Sequence, residues 1–326
     1  MTLRASRRSL FKLTAAGAAT LAAPQIMIRQ AAAQDEGMEQ TMAGYRRFTL
    51  GDFTVTTVLD GGRAGNGPHP TFGADQDAET VAALLQENFL PADRFVNGFT
   101  PTVVDTGSDL VLFDTGMGAN GRANGMGLLA ERMQAAGHAP EDVTVVVLTH
   151  FHGDHINGLM ENGAPAFANA RYVFGQAEYD FWTADERLSG QTENAANAVR
   201  STVVPLADNA TFIAEGGEVV PGITAMEAFG HTPGHLIFNV ESGDRRLVLT
   251  ADTANHFVAS LQRPDWEVAF DMDKAAAAAT RKRVFDMLAT DRIPFVGYHM
   301  PFPALGFVEA LDTGYRFVPA SYQFDV

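Results

Sequence analysis

The stretch LTHFHGDHING (148–158) places His150, His152, Asp154 and His155 within six consecutive positions. A solvated loop has no need of three imidazoles so close together, and a core finds that many polar groups expensive to satisfy. On an extended segment the side chains at i and i+2 point the same way, so His150 and His152 can hold one ion together. Gly153 lets the chain turn, after which Asp154 and His155 can face a second ion beside the first. The stretch follows VTVVVLT (143–149), an unbroken β-branched run suited to a strand buried on both faces.

Three further strand ends carry matching groups: His231 in FGHTPGH, Asp252 in LTADT and His299 in GYHMP. Each follows an apolar run, where function gathers on a rigid scaffold. Imidazole nitrogens and carboxylate oxygens are ligand types for zinc, manganese, iron or cobalt. The chain has no cysteine, which excludes disulfides and thiolate metal sites together.

Around these motifs, strands and helices alternate in two similar sets. YRRFTLGDFTVTTVLDGG (45–62) reads as a hairpin about Gly51-Asp52, and a second hairpin, 102–106 with 109–114, turns at Gly107-Ser108. Segments 79–89 and 123–137 have helical character, and 65–73 reads as a loop. In the second half, 170–175 and 222–229 are expected strands. A hairpin turning at 242–244 follows, then a helix capped by Asp271 or Asp273, a short strand near 295, and GYRFVP (314–319) as a structural tail packed against the body. The pattern predicts an α/β (α+β) chain in which two sheets pack face to face with helices outside, as one domain over 34–326.

Residues 1–33 read as an export signal. SRRSLFK (6–12) precedes the apolar run Leu13 to Ala23 and an Ala31-Ala32-Ala33 cleavage site, and Arg7-Arg8 gives the twin-arginine form. The expected location is periplasmic or secreted, and the apolar run is too short to serve as a membrane anchor. The chain's formal charge is −16, and losing five basic residues with 1–33 makes it −16 − 5 = −21. A surface that acidic disfavours nucleic acid as a partner. The sequence does not decide an oligomeric state, and a homodimer is admissible.

At HFHGDH the sequence resembles the metallo-β-lactamase-fold hydrolases, whose H-x-H-x-D-H it matches. It is similar to their methyl parathion hydrolase and N-acyl homoserine lactonase-like branch at LGDF (50–53), DTG (114–116), YDFW (179–182), GHTPGH (230–235) and GYRFVP (314–319). The resemblance implies a four-layer αββα sandwich over roughly 45–324 and two divalent ions, zinc by default. It implies His150, His152 and His231 on one ion, Asp154, His155 and His299 on the other, and Asp252 bridging them. It also suggests that Asp114 orients a ligand histidine, although a plain capping role at the hairpin end fits as well.

Two cations sharing a hydroxide would attack a carbonyl or phosphoryl centre, with Asp154 and Asp252 as the catalytic carboxylates. G-x-S-x-G is absent, so a serine-hydrolase reading fails. The expected substrate is a small neutral ester, a lactone first and an organophosphate triester second. A glyoxalase-like thioester hydrolase is the alternative enzyme. A metal-binding protein without turnover would want exposed tandem histidines rather than ligands at separate strand ends. No Lys or Arg lies in the three distant motifs, and Phe151, Phe181, Trp182, Phe257, Phe302 and Phe307 are expected to supply an apolar mouth. His235 is expected to bond within its own turn and His256 to lie on the surface. His69 and His138 receive no role.

Overall fold

The computed structural model describes residues 43–321, so the expected leader 1–33 and the start of the expected domain, 34–42, lie outside the described residues. Strand Val145–Val147 is buried throughout and sits inside a seven-stranded sheet. On one side it pairs in parallel with Leu110–Phe113, and on the other with Arg171–Gly175, which itself pairs in parallel with Ala210–Ile213. The hairpin Tyr45–Leu50 with Phe53–Val58 extends this sheet antiparallel through Thr102–Asp105. Parallel neighbours on both sides explain the continuous apolar run at 143–149, because neither face of that strand meets water.

The second sheet also has seven strands, running from Glu218–Val220 through Leu236–Ser242 and Arg245–Ala251 to Gly314–Pro319. Only Arg245–Ala251 and Phe295–Gly297 pair in parallel, and the 18-residue helix Lys274–Asp291 is the crossover that parallel pairing requires. Asp273 caps that helix by accepting from the Ala276 amide at 2.9 Å. GYRFVP, expected as a tail, is the edge strand of this sheet.

Alternation along the strands divides the core. Val111, Phe113, Val145, Val147 and Val173 turn toward the second sheet and share a core with Ile223, Phe238 and Val240. Leu112, Val146, Tyr172 and Phe174 point the other way, under Leu129 and Met133 of one helix and Trp182, Ala196 and Val199 of two others. On the far side, Val284, Phe285 and Leu288 of the long helix pack on the second sheet, with the Phe285 and Phe295 rings 5.6 Å apart. The arrangement is the expected four layers, helix, sheet, sheet, helix.

Two local expectations differ from the structure. The helix expected over 123–137 covers only Leu129–Ala135. The fully buried Asp60 carboxylate accepts from the amides of Met117, Gly127 and Leu129 at 3.0 Å each, so that 117–128, with its short helical turns Gly118–Gly121 and Arg122–Asn124, folds around it. The expected loop over 65–73 begins as strand: Gly61–Asn66 pairs with Arg94–Phe99 in a separate two-stranded ribbon. GGRAGN has no apolar alternation, so the sequence pattern carried no sign of it.

The ring centroids of Phe113 and Phe238 lie 5.0 Å apart across the two sheets, and Phe238 is fully buried. Phe238→Ala is expected to cost about 3–5 kcal/mol in urea unfolding, since it leaves a cavity where the sheets interlock. A loss below about 1 kcal/mol would show that the sheets do not depend on this contact.

Candidate metal centre

The loop Thr149–His152 leaves the end of strand Val145–Val147 and turns into the short helix Gly153–Ile156. His150 and His155 are fully buried, and His152 and Asp154 are partly buried. FGHTPGH brings His231 alongside, Asp252 begins where Arg245–Ala251 ends, and His299 follows Phe295–Gly297. All seven residues expected from the sequence converge at one end of the two sheets.

They form overlapping sets close enough to hold ions: His150 with His152 and His231, His150 with His155 and Asp252, and Asp154 with His155 and His299. In the first set, His152 Nδ1 lies 3.1 Å from His150 Nε2 and 2.9 Å from His231 Nε2. In the last, Asp154 Oδ2 lies 3.7 Å from the Nε2 of both His155 and His299. Asp252 stands between them. Its Oδ1 is 3.1 Å from His155 Nε2, and its Oδ2 is 3.2 Å from His231 Nε2 and 3.0 Å from His299 Nε2.

Two observations fit this donor set to divalent ions. His155 Nε2 and Asp252 Oδ1 are buried and face each other without a hydrogen bond. Such orphaned polar atoms are costly, and a cation between them would satisfy both. The donors are also all nitrogen or carboxylate oxygen, suited to zinc and its neighbours.

Electrostatics agree with the geometry. Burial strips His150 and His152 of their protons, holding both well below the usual imidazole range and leaving them as neutral donors. Burial also opposes the charged forms of His155, His231 and His299. The surrounding carboxylates together outweigh it, Asp252 foremost among them, joined by Asp114 and Asp154 at His155, Asp271 at His231 and Asp154 at His299, so all three are raised, His231 to about 9. Burial would raise Asp252 itself, but His299, His155 and His231 hold it well below the usual carboxylate range.

A second layer fixes these side chains. Asp114 Oδ2 lies 2.8 Å from His155 Nδ1 and accepts from the Thr149 hydroxyl, while Asp114 Oδ1 accepts from the Thr149 amide. Asp114 therefore orients a donor histidine and does not merely cap its hairpin. Asp271 does the same for His231 at 2.9 Å, and the Gly98 carbonyl accepts from His299 Nδ1. Tyr298 stacks on His155, centroids 4.0 Å apart, and its hydroxyl donates to the Asp154 carbonyl at 2.6 Å. Asn255 donates to Asp252 Oδ2 at 2.9 Å.

Glu178 ties the two loops together. Buried in helix Gln176–Thr183, it accepts from the amides of Phe151 and Gly234, the Thr232 hydroxyl and the Trp182 indole. Burial pushes this carboxyl up, and the four donors pull it back. His235 bonds the Ala228 carbonyl through Nδ1 and accepts from the Asp252 amide through Nε2, so it serves the site without being a donor to an ion.

Sequence reasoning missed Asp271, Tyr298, Asn255 and Glu178 as supports. Asp271 was noticed only as a cap, and Glu178 lies one residue before YDFW. His256 is buried, not on the surface: its Nδ1 accepts from the amides of Val258 and Ala259, and burial pushes it down to about 4.

A cavity of about 670 Å³ opens over His152, Asp154, His231, Asp252 and His299. The expected apolar mouth is wrong in its members. Phe151 and Trp182 are core, Phe181 packs under Arg187, and Phe257, Phe302 and Phe307 do not line the cavity. Phe95 and Phe99 of the unforeseen ribbon, Met117 and Phe270 take their place, and the same ribbon brings a cation, Arg63.

Residues 100–294 match the Metallo-beta-lactamase superfamily. N-acyl homoserine lactonases from Bacillus sp and Bacillus cereus are each 28% identical over 170 residues, 51% of this chain. That stretch spans only 60% of those relatives' own length. Among solved structures, AidC, a dizinc quorum-quenching lactonase in complex with a product, superposes with a TM-score of 0.78 at 26% identity, covering 86% of this chain and 99% of its own. The hydrolase AbOPH shares the fold at the same TM-score and coverage with 24% identity. The match over 100–294 takes in six of the seven donor residues, His299 lying just beyond it, and the chain belongs to the metallo-beta-lactamase superfamily.

Proposed function

We propose that this chain is an exported hydrolase of small neutral esters, with lactones as its main substrates and phosphotriesters as a side activity, working with two divalent ions, zinc first. One observation carries the reading: two sets of buried and half-buried donors meet at Asp252 on the floor of a cavity. His150, His152 and His231 would hold one ion, Asp154, His155 and His299 the other, and Asp252 both. When bound, such a pair supplies Lewis acidity and an activated water at neutral pH.

The chain's own residues do the rest. Asp114, Asp271 and the Gly98 carbonyl fix which imidazole nitrogen faces inward. The Asp154 side chain is 22% exposed, against 3% for Asp252, so it is the carboxylate with access to the cavity. In this reading it receives the proton released when water attacks the carbonyl, and returns it to the departing oxygen. Phe95, Phe99 and Phe270 shield the cavity from water and suit an acyl or aryl group. The lactonases among the relatives support a lactone ahead of a triester or a thioester.

Asp252→Asn keeps the shape of the carboxylate and removes its charge. Activity is expected to fall by roughly 10²-fold or more, and metal content to drop from two ions per chain, measured by elemental analysis. Near-normal rate with full metal content would remove Asp252 from its role. The substrate class is tested by kcat/KM for matched neutral and anionic lactones, triesters and phosphomonoesters, with and without chelator. Neutral members should be preferred; a clear preference for anionic ones would assign Arg63 the dominant part and overturn the neutral reading. Export rests on Arg7-Arg8 and Ala31-Ala32-Ala33, outside the described residues. Replacing Arg7 and Arg8 with lysine should hold the protein in the cytoplasm, and unchanged export would remove the twin-arginine assignment.

A further inference from the structure

The two halves of the centre are supported by different charges. Behind His155 stands Asp114, whose partners besides that imidazole are the neutral amide and hydroxyl of Thr149. Behind His231 stands Asp271, whose other oxygen, Oδ2, is paired at 2.7 Å with the guanidinium of Arg281. Asp271 and Arg281 are both only 1% exposed, and Arg281 also donates to the carbonyls of Thr253 and Pro264, which fixes its charge in place. Counting formal charges with imidazoles neutral, the His150, His152 and His231 half with Asp271, Arg281 and the buried Glu178 that joins its two loops sums to −1. The Asp154, His155 and His299 half with Asp114 sums to −2. Asp252 is common to both.

The ion-free bonding differs in the same direction. In the three-histidine half, His152 Nδ1 lies 3.1 Å from His150 Nε2 and 2.9 Å from His231 Nε2; with one hydrogen or one lone pair it bonds one of them, and an ion entering there displaces that bond without relieving an unpaired atom. On the other side His299 Nε2 bonds Asp252 Oδ2 at 3.0 Å, but His155 Nε2 and Asp252 Oδ1, 3.1 Å apart, are buried without a hydrogen bond, so an ion entering there displaces one bond and also relieves a penalty.

We infer that the centre is built to fill and empty in order: the Asp154, His155 and His299 half holds its ion tightly, and the His150, His152 and His231 half is the exchangeable one, weakened by the buried Arg281. Arg281 is thus a positioning residue, acting through Asp271 and His231. Charges in a poorly solvated interior are weakly screened, which lets a cation two side chains away count. Supports behind metal-binding residues commonly shift metal affinity by roughly 10- to 100-fold, the separation expected between the halves. This inference rests on the two-ion reading proposed above.

The test begins with zinc-loaded protein. Limiting chelator is added until about one ion per chain remains, and anomalous diffraction at the zinc edge locates it. The remaining ion should lie among Asp154, His155 and His299. Density among His150, His152 and His231, or equal density in both, overturns the order of filling while leaving the two-ion centre standing. No anomalous peak in either half of the loaded protein overturns the two-ion reading itself. In zinc titration followed by calorimetry, Arg281→Met should tighten the weaker step by roughly 10-fold or more and leave the tighter step nearly unchanged. Asp271→Asn, which leaves the guanidinium uncompensated, should weaken that same step. Unchanged weaker steps in both variants would remove Arg281 from the role.

Discussion

A carboxylate buried as deeply as Asp252 cannot stand alone. It begins where the central strand Arg245–Ala251 ends, it is 3% exposed, and its oxygens are directed at imidazoles from three other segments. Removing an anion from water is expensive unless positive charge and hydrogen bonds replace the lost hydration. His155, His231 and His299 are brought to it by separate strand ends, so both sheets must be in register for the charge to be matched. The architecture and the centre are therefore one problem: the sandwich gathers the partners that Asp252 requires.

The gathering has a visible backbone cost at two of those strand ends. Asp114 holds φ at +60° and Ala251 at +42°, conformations that residues with a side chain rarely adopt. Both lie immediately beyond or before a point where the chain must abandon the strand and aim a side chain at the centre. Such strain persists where surrounding structure over-determines it. Here that surrounding structure is the second layer: Thr149 holds Asp114, His235 holds the Asp252 amide, and Glu178 joins the loop carrying His150 and His152 to the loop carrying His231. Glu178 binds no donor atom of the centre, yet its four accepted hydrogen bonds set the spacing of the three-histidine half.

What could be read from the sequence divides along physical lines. His150, His152, Asp154 and His155 were legible because they are crowded, and His231, Asp252 and His299 because each closes an apolar run. The two sheets were legible through alternation and the buried run at 143–149. Supports such as Asp271 and Tyr298 were not, because each acts through one contact with a residue distant in sequence, and an isolated Asp or Tyr carries no pattern. The ribbon Gly61–Asn66 with Arg94–Phe99 was hidden for another reason: GGRAGN has neither alternation nor bulk to mark it as a strand, although it pairs residue for residue with Arg94–Phe99. The cavity wall was misread as a result, since Phe95, Phe99 and Arg63 all come from that ribbon.

That ribbon changes what the acidic charge of the chain means for its ligands. A formal charge of −16 spread over the protein repels anions at a distance, but salt screens such fields within about 10 Å. Inside the cavity the near groups decide, and these are Arg63 at the wall and the donor centre on the floor. Hydrolysis of a neutral lactone creates one carboxylate where there was none. On the proposed reading, a neutral ester would enter against no net repulsion, and the carboxylate it becomes would meet Arg63 at the cavity wall, so the near groups and not the net charge would set how each is held.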